Sequence, residues 1–477
     1  MKSQYDVVVI GGGTGGLVTA SGCARLGRSV ALVEKAQLGG DCLWTGCVPT
    51  KALVATARLM KQAAHADRYG LEPHQFAVSP RRIMESMRAA RATVQKNDDP
   101  ERFRVLGIDV FEKTEARLLS DHEVSIGGRT VRAKDIVIAT GSRTTVPPVD
   151  GLAETGFLDH ASFLAQDEIP ASVLILGGGY IGIEFAQMFR RFGSKVTVVE
   201  MADEIIARED AEVIRTIRML LEDEGIDIRT GWAARSARRE GSGKVLTIES
   251  KTGAIEDLST DEIFVASGRR GNTDSLGLES VGVKMNRSYI AVDEHLRTSV
   301  PGIWACGDVH GGMQFTHVAA YEATKIVRNM LFPRLSRVNY DDVPWALYTD
   351  PEVGHIGMTE AEAVIAHGQK NVRVYRAAMD DVDRAVVDRT PHGFLKIITD
   401  RKGRILGAHA VAANASTLIE ELVLARRHGV KVGQLAQLIS PYPSLADAIP
   451  RAASKFYENL GASWLGTVAR KIAAWTQ

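Results

Sequence analysis

Thirteen residues carry the densest chemistry in this chain: Gly39-Gly40-Asp41-Cys42-Leu43-Trp44-Thr45-Gly46-Cys47-Val48-Pro49-Thr50-Lys51. Cysteines are scarce, and two of the four lie here, with four residues between them. Thiols so spaced can be buried side chains, half of a metal site, or a redox pair. A structural zinc site needs about four ligands, usually from paired cysteines or histidines. Cys23 and Cys306 are distant and unpaired in sequence, so no resident metal is expected. A redox-active disulfide fits better. A regular helix would hold the two Cα atoms about 8–9 Å apart, beyond the roughly 7 Å that a disulfide tolerates. The segment must therefore be a distorted turn, which Gly46 permits and Pro49, lacking an N–H, assists. Strained, accessible disulfides are the reducible ones.

Two further patterns bind rather than react. Apolar strand residues Tyr5 to Ile10 lead into Gly11-Gly12-Gly13-Thr14-Gly15-Gly16, then a helix, then a strand from Ser29 to Val33 that ends at Glu34. Gly11, Gly13 and Gly16 let backbone approach a pyrophosphate at the helix N-terminus, where free N–H groups and the helix dipole favour anions. Glu34, roughly 20 residues on, can take the ribose hydroxyls. The pattern recurs at Ser172 to Leu176, with Gly177, Gly179 and Gly182 in the turn and Glu200 closing the strand from Lys195. Two units imply two dinucleotides. A carboxylate at Glu200 accepts from a 2′-hydroxyl and repels a 2′-phosphate. No arginine follows before Arg208, so NADH is expected over NADPH.

The segment from Gly39 to Lys51 closely resembles the redox-active stretch of the pyridine nucleotide-disulfide oxidoreductases, which include dihydrolipoamide dehydrogenase and mercuric reductase. The resemblance implies a relay from a nicotinamide to FAD, to the disulfide, and on to a small-molecule acceptor. By their places in the motif, Cys47 faces the flavin as a thiolate and Cys42 meets the substrate. Lys51 sits near the flavin's reactive edge and pairs with Glu184, while Tyr180 covers the nicotinamide pocket. Thr140 and Gly141 lie where the chain leaves the flavin domain. Gly268 opens the return, Asp308 meets the ribityl chain, and a helix starting near His317 aims its amides at the flavin pyrimidine. The first glycine turn would hold FAD and the second the nicotinamide.

The implied fold is α/β, with two Rossmann-like domains and a C-terminal α+β dimerisation domain. The boundaries expected are 1–150 for the first part of the FAD domain, 151–275 for the NAD domain, 276–342 for the FAD return, and 343–457 for the interface domain. The interface domain implies a homodimer in which each subunit lends a segment to the other's active site. In a disulfide reductase that segment reads His-Pro-Thr-x-x-Glu. Here it reads Tyr442-Pro443-Ser444-Leu445-Ala446-Asp447, so the resemblance puts Tyr442 at the base position with Asp447 as its shortened orienting acid. A phenol with a pKa near 10 is a far poorer base at neutral pH than an imidazole near 6.5. Mercuric reductases also place tyrosine there, but they add a C-terminal cysteine pair, whereas the last cysteine here is Cys306. A soft-metal reductase, a quinone diaphorase and a slow redox-sensing subunit are the alternatives.

Other properties narrow the classes. Charges balance, with 58 basic and 58 acidic side chains, so no net field recruits nucleic acid. No apolar run reaches the roughly 18–20 residues needed to span a bilayer, and few cysteines suit a reducing compartment. A cytoplasmic location is expected. Residues 458–477 read as an amphipathic tail, with Trp464, Leu465, Val468 and Ile472 at helical spacing. It either packs in the dimer or makes weak membrane-surface contact.

Overall fold

The computed structural model describes residues 1–332 and 335–461; all but the first four residues of the expected 458–477 tail lie outside them. The α/β fold is organised by two parallel sheets of closely similar construction. In the first, strand Gln4–Ile10 is central because Val7, Val8, Val9 and Ile10 are all buried, as a strand covered on both faces requires. It pairs in parallel with Val30–Val33 on one side and Arg129–Ile138 on the other. Asp109–Phe111 extends the first edge. The second edge forks. Ile303–Ala305 pairs in parallel with residues 136–138, while Glu123–Ile126 and Ala116–Leu118 form an antiparallel extension beside residues 129–132. A strand from far along the chain thus completes the sheet that the N-terminus begins.

The second sheet has the order Asp227–Thr230, Lys195–Glu200, Ser172–Leu176, Glu262–Val265, all parallel. A three-stranded antiparallel sheet, Trp232–Glu240, Gly243–Ser250 and Ile255–Thr260, hangs from it; no expectation covered that sheet. Five antiparallel strands form the last sheet, from Trp345–Leu347 through Glu352–Gly357, Ile405–Ala412 and Phe394–Asp400 to Val372–Ala378. Helices Ala415–Arg427 and Ala448–Gly461 accompany it. A short helix spans Val432–Leu435. No helix among the described residues is long and apolar enough to cross a membrane.

The repeated glycine turns are built alike. Gly11 has φ +110° and Gly177 has φ +114°, a left-handed conformation that favours glycine. A Cβ on Gly16 would stand 1.8 Å from Gly11 O, and one on Gly182 would stand 1.9 Å from Gly177 O. Any side chain there would push helices Thr14–Arg25 and Tyr180–Arg191 off their strands.

Candidate active site

The reactive segment folds as two helices with a break between them. Gly40–Trp44 ends at Thr45, and Cys47–Ala64 begins immediately after Gly46. A Cβ on Gly46 would lie 2.9 Å from Asp41 O, so glycine allows the chain to double back there. The distorted turn is present as expected, and it leaves Cys47 in the first turn of the longer helix. Helix N-termini favour thiolates. A second helix, Thr316–Leu331, also starts here, with Thr316 Oγ1 3.4 Å from Cys47 Sγ.

Cys42 and Cys47 stand as free thiols in contact with one another. The hydrogen bond from Cys42, with help from Thr316 and Lys51, outweighs desolvation and pulls the Cys47 thiol down to about 6. The same contact, followed by burial, pushes Cys42 well above the usual thiol range. One sulfur is thus the anion and the other holds the proton. Cys47 is exposed and lines an open cleft.

Lys51 follows one helical turn after Cys47. Its Nζ donates to Glu184 Oε2 at 2.8 Å, and Glu184 Oε1 accepts the Tyr348 backbone N–H at 2.8 Å. Burial opposes the lysine's charge, but Glu184 prevails and raises its pKa. The pair joins the first sheet's unit to the helix after the second glycine turn, a contact between residues 133 apart in sequence.

The cleft measures about 1740 Å³, beyond the roughly 300–1,000 Å³ of a pocket for one small ligand. Of the residues expected to bind or react, Gly11, Gly13, Glu34, Cys42, Cys47, Lys51, Thr140, Gly141, Glu184 and Asp308 line it. The side-chain-free cradle at Gly11 and Gly13, the helix N-terminus behind it and the length of the cleft fit FAD. Glu34 receives Gly12 N–H and Ala36 N–H at 2.7 Å each, one per carboxylate oxygen. Each oxygen keeps a lone pair for a ribose hydroxyl. Glu200 repeats the arrangement with Gly178 N–H at 2.6 Å and Ala202 N–H at 2.7 Å. Gly16, Gly177, Gly179, Gly182, Tyr180, Glu200 and Gly268 lie outside this cleft, most of them at the second turn. Tyr180 donates to Glu209 Oε1 at 2.8 Å.

Three more of the expected residues stand outside the cleft of their own chain. The His317 side chain does not line the cleft; its Nε2 lies 2.8 Å from Pro344 O. Helix periodicity turns position 317 away from the cleft, while Thr316 and Ala319 face it. Tyr442 is not paired with Asp447. Its hydroxyl donates to Asp383 Oδ2 at 2.8 Å, whereas Asp447 is held by Arg451 one turn along the same helical segment, at 2.7 Å. Neither Tyr442, 74% exposed, nor Asp447 lines the cleft of its own chain.

Sequence reasoning also missed residues around Cys42. Asp41 Oδ2 accepts from Arg269 Nη2 at 2.6 Å, and its Oδ1 lies 3.3 Å from His160 Nε2. Burial opposes ionisation of Asp41, but His160 and Arg269 hold it far below the usual carboxylate range. Glu322, fully buried, accepts Gly307 N–H at 2.7 Å and Tyr340 OH at 2.6 Å. It thereby fixes the turn that presents Asp308. No local pattern marks His160, whose partner Asp41 is 119 residues away, or Glu322, whose partners come from loops on either side of its helix.

A family described as pyridine nucleotide-disulphide oxidoreductase matches residues 5–323, and its dimerisation domain matches residues 343–453. Mercuric reductase of Streptomyces lividans is 35% identical over 465 residues, covering 95% of this chain and 96% of that protein. Dihydrolipoyl dehydrogenase of Bacillus subtilis (strain 168) is 33% identical over 469 residues, covering 95% and 98%. Among solved structures, the Cu(II) complex of the HOCl-induced flavoprotein disulfide reductase RclA from Escherichia coli superposes with a TM-score of 0.85 at 30% identity. That match covers 95% of this chain and 100% of the other. The molecule is an FAD-dependent oxidoreductase that works with NAD(P)H. It belongs to the pyridine nucleotide-disulphide oxidoreductase family and carries that family's dimerisation domain.

Proposed function

We propose that this chain passes two electrons from NADH, through FAD, to the Cys42–Cys47 pair and on to a disulfide or another small acceptor. The observation that carries this reading is the single cleft in which the anionic Cys47, the Lys51–Glu184 pair and the first glycine turn meet. Bound FAD supplies the two-electron chemistry between a nicotinamide and a disulfide. Gly11 and Gly13 bind its pyrophosphate, Glu34 its ribose, and Asp308 its ribityl chain. Cys47 rests as the thiolate on the flavin side. Cys42 holds the proton and is the sulfur that meets the acceptor. Lys51, oriented by Glu184, keeps a positive charge beside Cys47. The second turn binds the nicotinamide, with Glu200 on the ribose hydroxyls and Tyr180 beside the pocket. The dimer lends Tyr442 to the partner's cleft, and the enzyme works in the cytoplasm.

One observation favours a second reading, in which the acceptor is a thiophilic metal ion. Tyr442 stands where a disulfide reductase needs a base, and Asp383, hydrogen-bonded to its hydroxyl, raises the phenol's pKa further from neutrality. A soft ion seeks the thiolates directly and needs no proton acceptor. A Streptomyces relative named mercuric reductase and an RclA structure named a Cu(II) complex fit that chemistry. Anaerobic NADH reduction followed by lipoamide, glutathione disulfide, Hg(II), Cu(II) and quinones separates the readings. Loss of all acceptor turnover in Cys42→Ser, except with quinones, supports the thiol relay. Unchanged rates with every acceptor overturn it.

A further inference from the structure

Away from the cleft, one buried cluster gathers groups that ligate transition metals. His355, on strand Glu352–Gly357, and His409, on strand Ile405–Ala412, are direct partners in an antiparallel ladder. Their side chains therefore leave the same face of the sheet as neighbours. Glu209 meets them from the other side of a junction, just before helix Ala211–Asp223 of the second nucleotide-binding unit. One ligand atom of each residue lies within 4.8 Å of the other two, and all three residues are buried.

The surrounding hydrogen bonds orient these groups. His355 Nε2 lies 2.9 Å from Gly357 O, and His409 Nε2 lies 3.1 Å from Met358 O. Backbone carbonyls accept only, so each Nε2 carries the proton and each Nδ1 faces the cluster side of its ring. His355 Nδ1 is 2.9 Å from Glu209 Oε2. The other carboxylate oxygen receives Tyr180 OH at 2.8 Å and Trp345 Nε1–H at 2.7 Å. His409 Nδ1 is different: it is buried and has no partner. A ring nitrogen stripped of water and given nothing in return is rare in folded proteins and calls for a reason.

We propose that Glu209, His355 and His409 form a site for a divalent transition-metal ion that prefers imidazole, with zinc as the simplest occupant. The ion takes the place of the proton between His355 Nδ1 and Glu209 Oε2, and His409 Nδ1 becomes the third ligand. Outer N–H groups donated to carbonyls are the arrangement that ligating histidines normally use. Zn–N bonds of about 2.0–2.1 Å put tetrahedral ligand atoms roughly 3.4 Å apart, so His355 Nδ1 and Glu209 Oε2, 2.9 Å apart, spread slightly on loading while the His409 ligand atom, within 4.8 Å of theirs, adjusts to the same spacing. The fourth position is left to water. The site would staple the second nucleotide-binding unit to the interface sheet. Trp345 stacks on His355 with ring centroids 3.5 Å apart and lies 6.2 Å from Phe315, a residue of the cleft wall. The staple therefore stands directly behind the flavin cleft.

Cys42 and Cys47 also attract soft ions, so the test removes them. Untagged, FAD-loaded protein carrying Cys42→Ser and Cys47→Ser is stripped with chelator and titrated with Zn(II) by calorimetry. About one equivalent per chain with a dissociation constant below about 1 µM is expected, together with a higher melting temperature. His409→Leu and Glu209→Gln, with FAD content checked, are each expected to weaken binding at least about tenfold. Should either variant fail to fold, Co(II) in the parent decides. Ligand-field bands of four-coordinate nitrogen and oxygen ligation, read beyond the flavin absorbance, support the site. No stoichiometric binding, a six-coordinate aquo-like spectrum, or undiminished binding in both folded variants overturns it.

Discussion

Replacing Cys42 by alanine removes the largest influence that keeps Cys47 ionised, the hydrogen bond from its neighbour. A hydrogen bond to a charged group is worth about 1.5–3 kcal/mol, and one pKa unit corresponds to about 1.36 kcal/mol. The Cys47 midpoint, about 6 in the dithiol enzyme, should therefore rise by about one to two units. Thr316 and Lys51 remain, so it should stay below that of an isolated thiol near 8.5. The sign is that of a depressed acid: the thiolate is present above the midpoint and lost as pH falls through it. The readouts are alkylation rate and the long-wavelength absorbance between a thiolate and bound FAD, followed from about pH 5 to 9, a range spanning both midpoints. In the Cys42→Ala enzyme this absorbance should appear without added reductant, because Cys47 can no longer be oxidised within the pair. Cys42→Ser, which keeps a donor, should titrate between the two. A Cys42→Ala midpoint equal to that of the dithiol enzyme would refute the hydrogen-bond explanation. An enzyme whose dithiol form titrates above about 8 would refute the depressed thiol itself.

Lys51→Met should also raise the Cys47 midpoint, but by less than Cys42→Ala, because Lys51 acts by charge rather than contact; a larger shift would reverse that order. Glu200→Arg should move kcat/KM from NADH towards NADPH by at least about tenfold, or about 1.4 kcal/mol, and an unchanged ratio would remove Glu200 from cofactor choice. Tyr442→His should raise lipoamide and glutathione disulfide turnover at neutral pH by at least about tenfold, the low end of base assistance being about a hundredfold. Asp383 is already within hydrogen-bonding reach of that position, so adding Asp447→Glu should contribute little. Steady-state rates with each acceptor decide it, and Tyr442→His without effect would show that proton transfer is not what limits these acceptors.

What was legible beforehand was local in the chain. The glycine turns, their acids and the cysteine segment each work within a few dozen residues, so spacing alone marks strand, turn and helix. The Lys51–Glu184 contact was expected only through resemblance, since nothing in either segment announces the other. The partner of Tyr442 was misjudged because an acid five residues on seemed the natural choice. The chain instead brings Asp383 to it from 59 residues away, while Asp447 is taken by Arg451 within one helical turn. The Glu209–His355–His409 cluster was invisible for the same reason: Glu209 and His355 stand 146 residues apart. Only the ladder register that sets His355 opposite His409 brings them into view.

The pairing of Ile303–Ala305 with residues 136–138 has a consequence for how the chain is made. Roughly 165 residues separate the two partners, so at about 5–20 residues per second a ribosome needs on the order of 8–33 s to deliver the second after the first. Through that interval residues 136–138 wait with one edge bare, since Glu123–Ile126 covers only residues 129–132, and bare edges invite pairing with other chains. The second nucleotide-binding unit, encoded wholly within the gap, has all four strands of its parallel sheet before the wait ends. The inserted unit is thus the natural first folder. By drawing its two ends together it delivers the late strand to the early one, so that nascent chains stalled before residue 303 should be the ones most dependent on chaperones.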